Sequence, residues 1–302
     1  SAFTYVDGLN ADGYTIIIGT AGGSYTWTSG VAFASTMVHQ VTITSAGGAA
    51  NKTTITFDFD DTGTGLTLRA ADNKLERLTG FIFTTAAGRT LGTGAVSIQT
   101  TGSGTARNAY RIDHCNFVQC TNQAIYVLFP NTSGGTIYGC IDNCAFTTTT
   151  SHGGIYFFSG NDGNNWTTGG TTNGDMTWGT YDTNIVETCT FTNTGAIVPG
   201  FPAIDASYNG VRYCARYNQF TDWVCVCHGS DSAPTSTLQT EIYNNTTTVT
   251  GGCDYAWYIR GGSTVAFNNT ITYTGSGFYN SGFKLTNDSS GSSYPYFQQI
   301  GQ

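Results

Sequence analysis

The chain has 302 residues, of which 39% are hydrophobic, 14% aromatic and only 10% charged, and its formal net charge is −8. The aromatic content excludes a disordered chain. The acidic balance and the mere three lysines exclude a basic nucleic-acid-binding surface, and no apolar run approaches the roughly 18 residues that predict a membrane span.

The polar positions are filled mainly by Thr, Ser and Asn rather than by charged residues, which make up about 25% of an ordinary globular chain. Helix-forming runs of Ala, Glu, Lys and Leu are nearly absent, so strands and turns are favoured. Low charge with abundant Thr, Asn and aromatic residues predicts an extracellular or virion-surface protein.

Short strands with period-two alternation recur along the chain, mostly every 21 to 32 residues. They are GLTL (65–68), AVSI (95–98), AIYV (124–127), GIYF (154–157), AIDA (203–206), VCVC (224–227), AWYI (256–259) and GFKL (282–285). The one gap of 49 residues contains a Gly-, Asn- and Thr-rich stretch, residues 159–184, which predicts a lateral loop.

A second repeat lies between these strands. Its members are IDHCNFV (112–118), IDNCAFT (141–147), VETCTFT (186–192), ARYNQFT (215–221), IYNNTTT (242–248) and AFNNTIT (266–272). Aligned, they predict one structural bend column of Cys115, Cys144, Cys189, Asn218, Asn245 and Asn269. Asn suits a bend because it tolerates the left-handed backbone and bonds locally, and Cys is a small buried filler. A Cys115–Cys144 bridge and free stacked thiols are both open.

Two strands, a bend and a return within 20–30 residues describe one turn of a β-solenoid. The sequence therefore predicts an all-β fold, a single-domain right-handed parallel β-helix of about eight coils spanning residues 1–302. Residues 1–50 would form the first coils or an N-terminal cap, and residues 287–302 a C-terminal cap or tail.

The opening DGYTIIIGTAGGSYTWTSGVAF (12–33), followed by VTITSAGG (41–48), resembles the first coils of pectate-lyase-like right-handed parallel β-helix proteins. The x-N-N-x-F/I coils resemble the repeat of the same superfamily, which includes polysaccharide lyases, phage tailspikes and adhesins. The resemblance implies the fold and its handedness rather than one function. Lyases of this superfamily use stacked acidic residues to bind calcium and an Arg as base, and the predicted strands do not show that pattern.

One outward face of the predicted strands carries the candidate site. Asp205 and His228 are the candidate acid and base, and the candidate carbohydrate-binding residues are Tyr126, Tyr156, Phe158, Tyr258, Arg260 and Lys284. Aromatic rings stack on sugars, but a solvated face with structural aromatic stacking explains the same residues. The acidic TFDFDDTG (56–63) offers Asp58, Asp60 and Asp61 to Ca²⁺, although a polar turn accounts for them better. No other metal site or cofactor is expected.

Two functions remain. The first is a non-catalytic, extracellular structural or surface-binding protein, such as a fibre, spike or adhesin subunit, which self-associates into an oligomer or filament. The second is a polysaccharide lyase or glycoside hydrolase of the pectate-lyase-like or tailspike type. An ice-binding role is disfavoured, because no column of alternating Thr persists over several coils. The absence of clustered acidic residues favours the first function. Carbohydrate is the ligand that we consider for either function.

Overall fold

A computed structural model describes residues 12–32, 39–100, 105–128, 136–149, 152–158, 178–195, 202–206, 211–227, 237, 239–251, 255–260, 262–274, 281–285 and 297–299. Every regular element within these residues is a β-strand. The strands form three parallel sheets of ten, nine and nine strands, which we name A, B and C.

The strands visit the three sheets in rotation, so every third strand pairs in parallel. Sheet A contains β1 (Tyr14–Ile18), β4 (Val41–Ser45), β7 (Glu76–Thr79), β10 (Thr105–Asp113), β13 (Thr136–Asp142), β16 (Asn184–Glu187), β19 (Arg212–Arg216), β22 (Gln239–Tyr243), β25 (Gly262–Phe267) and β28 (Phe297–Gln299). Sheet B contains β2 (Ser24–Trp27), β5 (Thr53–Phe57), β8 (Phe81–Thr85), β11 (Asn116–Val118), β14 (Ala145–Thr148), β17 (Thr190–Asn193), β20 (Gln219–Thr221), β23 (Thr246–Val249) and β26 (Thr270–Tyr273). Sheet C contains β3 (Val31–Ala32), β6 (Thr64–Arg69), β9 (Gly94–Gln99), β12 (Gln123–Leu128), β15 (Gly153–Phe158), β18 (Ile204–Ala206), β21 (Cys225–Cys227), β24 (Tyr255–Ile259) and β27 (Ser281–Leu285).

This strand order is that of a right-handed parallel β-helix, which confirms the predicted fold class. It has nine complete coils, and β28 begins a tenth. The expected number was about eight, and the repeat of sheet C strands on which it depended began at GLTL (65–68). The strand of the first coil in sheet C, β3, has only two residues and was not part of that repeat.

The interior is filled by stacked columns of identical side chains. Phe83, Phe117, Phe146, Phe191 and Phe220 lie one above another on sheet B, and successive ring centroids are 5.4, 5.0, 4.6 and 4.9 Å apart. All five are buried. Burying a large apolar side chain contributes roughly 1.5–3 kcal/mol. The column therefore stabilises the coil register that positions the outer faces.

The bend between sheets A and B holds an asparagine ladder. The Asn218 backbone N–H donates to Oδ1 of Asn245 (3.0 Å), and the Asn245 N–H donates to Oδ1 of Asn269 (3.1 Å). The side-chain Nδ2 of Asn218 donates to the backbone carbonyl of Val186 in the coil below (2.9 Å). The ladder thus satisfies backbone groups that the bend takes out of the sheets.

In the lower coils cysteine occupies the same place. The thiols of Cys115, Cys144 and Cys189 contact carbonyls of the coil below, at 3.8, 3.5 and 3.6 Å. All three are free thiols, so the structure contains the stacked thiols rather than the bridge. The residue before each column member has a left-handed backbone, as at Asn268 with φ of 53°. Asn268 is exposed, whereas its neighbour Asn269 is part-buried in the ladder.

The segments expected outside the regular coils are only partly described. Residues 1–11, residues 159–177 of the lateral loop, and most of 287–302 lie outside the described residues. Residues 178–183, at the end of the expected loop, lead back to sheet A. Near the N-terminus, Tyr14–Ile18, Ser24–Trp27, Val31–Ala32 and Val41–Ser45 are already regular coil strands.

Candidate functional site

The predicted carbohydrate-binding residues lie mainly on the outer side of sheet C, which we call the aromatic face. Strand pairing places one register column there, running across neighbouring strands. Its members are Thr67, Ser97, Tyr126, Tyr156, Asp205, Val226, Tyr258 and Lys284. From Tyr126 to Lys284 there are five strand spacings, or about 24 Å along the axis. Phe158 and Arg260 belong to the adjoining outward positions.

Three aromatic rings form one end of this face. The Tyr126 and Tyr156 ring centroids are 5.3 Å apart, and Phe158 lies 6.1 Å from Tyr126 and 5.8 Å from Tyr156. Tyr126 and Tyr156 come from adjacent coils, as the period of the solenoid dictates. Burial raises the pKa of Tyr126 to about 12, so its phenol stays protonated in neutral solution. It offers a neutral O–H donor and a ring face.

Two cations lie beside aromatic rings at the other end. Lys284 Nζ lies 4.7 Å from the centre of the Tyr258 ring and 5.4 Å from that of Tyr255, and the Arg260 guanidinium lies 5.4 Å from the Tyr258 ring. A cation at this distance from an aromatic ring is attracted to it by about 0.5–1 kcal/mol at an exposed site. This end of the aromatic face therefore combines ring faces with positive charge.

The proposed acid–base pair is only half described. Asp205 is 9% exposed and lies in register between Tyr156 and Val226. Asp205 is not without an interaction partner. His228 lies outside the described residues, so the structure places only Asp205 of the two. No acid–base constellation is assembled on this face by the residues that the structure describes.

The acidic turn with the suggested calcium ligands is occupied by an arginine. Arg89 Nε donates to Asp58 (2.8 Å) and its Nη1 to Asp60 (3.0 Å), while Asp61 accepts from the Gly63 N–H. The guanidinium of Arg89 is therefore paired with two of the three suggested ligands. No group of three or more potential metal ligands was found in the described part of the chain. A calcium ion there remains a prediction.

A column of charged residues on the outer side of sheet A was missed. Asp113, Asp142, Glu187 and Arg216 are register partners on successive strands. The signal was present in the aligned repeats, because each of these residues precedes the bend column by two positions in IDHC, IDNC, VETC and ARYN. We call this column with its arginines the charged ladder.

Each carboxylate of the ladder binds an arginine. Arg77 donates to Asp113 at 2.6 and 3.1 Å, Arg111 to Asp142 at 2.9 Å twice, and Arg216 to Glu187 at 2.6 Å. Paired, bidentate contacts of this kind are the strong ones. Three stacked carboxylates about 4.8 Å apart would repel one another without these arginines.

One carboxylate of the ladder, Asp113, is unsuited to acid catalysis. A glycosidase acid must carry a proton that it can give to the leaving group. Burial would raise the pKa of Asp113, yet hydrogen bonds from Arg77, Thr79 and His114 hold its pKa below the ordinary value. The Asp113 carboxylate is therefore kept charged, which suits a structural ion pair and not proton transfer.

No helix in the described residues is long and apolar enough to cross a membrane. No family model matches the chain, and no curated protein matches it. A search of solved structures found similarity to an alginate lyase from Paenibacillus sp. strain FPU-7, with 16% identity and a TM-score of 0.44, covering 90% of this chain and 99% of that one.

Proposed function

We propose that this β-helix binds an acidic polysaccharide along the aromatic face of sheet C. The observation that carries the proposal is the sharing of one outward register column by Tyr126, Tyr156, Tyr258 and Lys284, with Arg260 beside Tyr258. A column about 24 Å long suits an extended polymer rather than a small metabolite.

The two ends of the face would make different contacts. Tyr126, Tyr156 and Phe158 offer ring surface to the apolar side of sugar rings, and tyrosine hydroxyls offer hydrogen bonds. Lys284 and Arg260 would pair with carboxylates of the polymer. An uncharged polymer would lose the second set of contacts, so we expect a preference for acidic chains.

The test is electrophoretic retardation of the protein in gels containing polygalacturonate or its fully methyl-esterified, uncharged counterpart. We expect the wild type to be retarded more by the acidic polymer. The double variant Tyr156→Ala/Tyr258→Ala should bind about tenfold more weakly, equivalent to about 1.4 kcal/mol.

Tyr217→Ala is the matched control, because Tyr217 is an exposed tyrosine that packs edge-on against Tyr243, away from the aromatic face. It should retain wild-type binding, and thermal unfolding should show that all variants are folded. Equal retardation by both polymers, or an unaffected double variant, would refute the proposal.

Cleavage of the same polymer by β-elimination is the second candidate function. A uronate carboxylate held between Lys284 and Arg260 would lie next to the ring of Tyr258, whose hydroxyl is a candidate proton acceptor or donor. Elimination creates a conjugated double bond, so ultraviolet absorbance of polygalacturonate incubated with the protein tests it. Binding without any rise in absorbance leaves the chain a binding protein.

The fibre, spike or adhesin role and self-association remain predictions, as does the extracellular or virion-surface location. They are compatible with polysaccharide binding. Sedimentation of the purified chain over a range of concentrations measures self-association directly.

A further inference from the structure

We propose that the outer side of sheet A carries a second, separate saccharide site, which takes an acidic disaccharide or chain end. The site is a cleft of about 510 Å³, within the range of ordinary small-ligand sites. The residues that matter to its chemistry are Arg111, Tyr138, Tyr181, Thr183, Glu187 and Arg216, and we call it the charged cleft.

The residues 178–183 form one wall of the cleft, and two long-range contacts fix them. Asp182 accepts from Arg107 at 2.7 and 3.0 Å, and the Gly179 N–H donates to the buried carboxylate of Glu241 at 3.0 Å. Arg107 and Glu241 belong to β10 and β22, four strands apart in sheet A. The segment is therefore held across several coils, and the cleft is a built feature of the fold.

Two guanidinium groups converge on this cleft. Arg111 extends from β10 to Asp142 on β13, and Arg216 extends back from β19 to Glu187 on β16. Asp142 and Glu187 are register partners on adjacent strands, about one strand spacing apart, and the two guanidiniums that bind them both line the cleft. Neither Nη1 of Arg111 nor Nη2 of Arg216 has an acceptor among the described residues. The N–H groups on both nitrogens can donate hydrogen bonds to a carboxylate of a ligand.

A buried, unpartnered hydroxyl supplies an independent sign of a ligand. Thr183 lines the cleft and is 3% exposed, and its Oγ1 has no hydrogen-bond partner among the described residues. An unsatisfied buried polar atom is costly, at about 1–3 kcal/mol. A sugar hydroxyl entering the cleft would satisfy it, and Glu187, whose Oε1 has no donor in the described part of the chain, would accept a second hydroxyl.

The rim and the remaining guanidinium N–H groups suit the same ligand. Tyr181 is 81% exposed beside the cleft and presents a ring on which a sugar can stack. Arg111 and Arg216 are each paired with a carboxylate, of Asp142 and of Glu187, so the cleft has no uncompensated positive charge. The N–H groups that these pairs leave over favour a saccharide with a carboxylate acceptor over a neutral one.

Isothermal titration calorimetry at low ionic strength tests the site with digalacturonate and with its counterpart in which both carboxylates are reduced to alcohols. We expect digalacturonate to bind at least about tenfold more tightly, a difference of about 1.4 kcal/mol. Thr183→Val preserves the side-chain shape and should weaken binding about threefold to tenfold, as expected for one hydrogen bond. Tyr181→Ala should also weaken it.

The controls separate this site from the aromatic face. Thr183→Val should unfold no more easily than wild type, because its hydroxyl has no protein partner to lose. Tyr217→Ala should bind digalacturonate as wild type does. Thr183→Val should still be retarded in gels by polygalacturonate, because it leaves the aromatic face intact. Absence of digalacturonate binding, equal affinity for the two sugars, or unchanged affinity in Thr183→Val would each overturn the proposal.

Discussion

Asp142 and Glu187 are register partners on adjacent strands, and each binds an arginine from a different direction. The Asp142 side chain is 4% exposed and accepts two hydrogen bonds from Arg111, whereas the Glu187 side chain is 28% exposed and accepts one from Arg216. The same chemistry in one column therefore has two environments, and the two pairs should differ in their contribution to stability.

We expect Asp142→Asn to destabilise the protein by about 3 kcal/mol, because it breaks a largely buried pair. Glu187→Gln should cost no more than about 1 kcal/mol, as for surface pairs. Urea unfolding of both variants measures the difference. Equal losses would show that the depth of burial does not decide the strength of these pairs.

The ladder also predicts a pH dependence. Asp113 is buried and its pKa is lowered in the folded state, so the stability it contributes is complete above its unfolded pKa of about 3.9 and is lost as the pH falls through the lower folded pKa. When the pH is lowered below about 4, the thermal midpoint of the wild type should therefore decrease, and that of Asp113→Asn should decrease less.

Thr79→Val gives an intermediate test, because the Thr79 hydroxyl donates one of the hydrogen bonds that lower this pKa. Its thermal midpoint should begin to fall at the same pH as that of wild type, near the unfolded pKa of Asp113, but should fall by less in total, because the folded and unfolded pKa values lie closer together. If Asp113→Asn retains the full acid dependence, other carboxylates cause it.

The asparagine ladder should be a strong determinant of stability. Asn245 is 1% exposed, donates to Asn269 and Ala215, and accepts from Asn218. Asn245→Ala leaves several buried groups unsatisfied, at about 1–3 kcal/mol each, and should be the most damaging single substitution in the bend.

Asn245→Cys should cost less than Asn245→Ala, because the thiols of the lower coils contact the same kind of carbonyl. Asn268→Gly is the control, since Asn268 is exposed and glycine readily adopts its φ of 53°. Unfolding midpoints rank the three variants. A loss in Asn268→Gly as large as in Asn245→Ala would contradict the role of the ladder.

The positive end of the aromatic face predicts a salt effect. Lys284→Gln should weaken binding of polygalacturonate at low ionic strength and should matter little near 1 M salt, where the Debye length is about 3 Å. Lys52→Gln is the matched control, because Lys52 donates instead to Asn116 on sheet B. Binding measured over a salt series distinguishes the two, and identical salt curves would rule out a role for Lys284.

Periodicity made much of this structure accessible from the sequence. In a solenoid one coil of chain advances by one strand spacing, so residues that align in the repeat also stack in space. That is why the alignment placed Asn218, Asn245 and Asn269 in one column, and Tyr126 above Tyr156. The alignment also contained Asp113, Asp142 and Glu187 in one column, but their charges alone did not predict which arginines would bind them.

The sequence by itself determined the parallel β-helix, the stacking register and the aromatic column, because all three follow from a repeat that local patterning reveals. Only the tertiary structure decided which arginine binds which carboxylate, and how residues 178–183 return to close the charged cleft. Arg111 and Asp142 are 31 residues apart on different coils, and Arg107 and Asp182 are 75 apart. Such contacts depend on the conformations of long side chains and on the path of a segment outside the repeat. Neither is periodic, so the repeat in the sequence does not predict them.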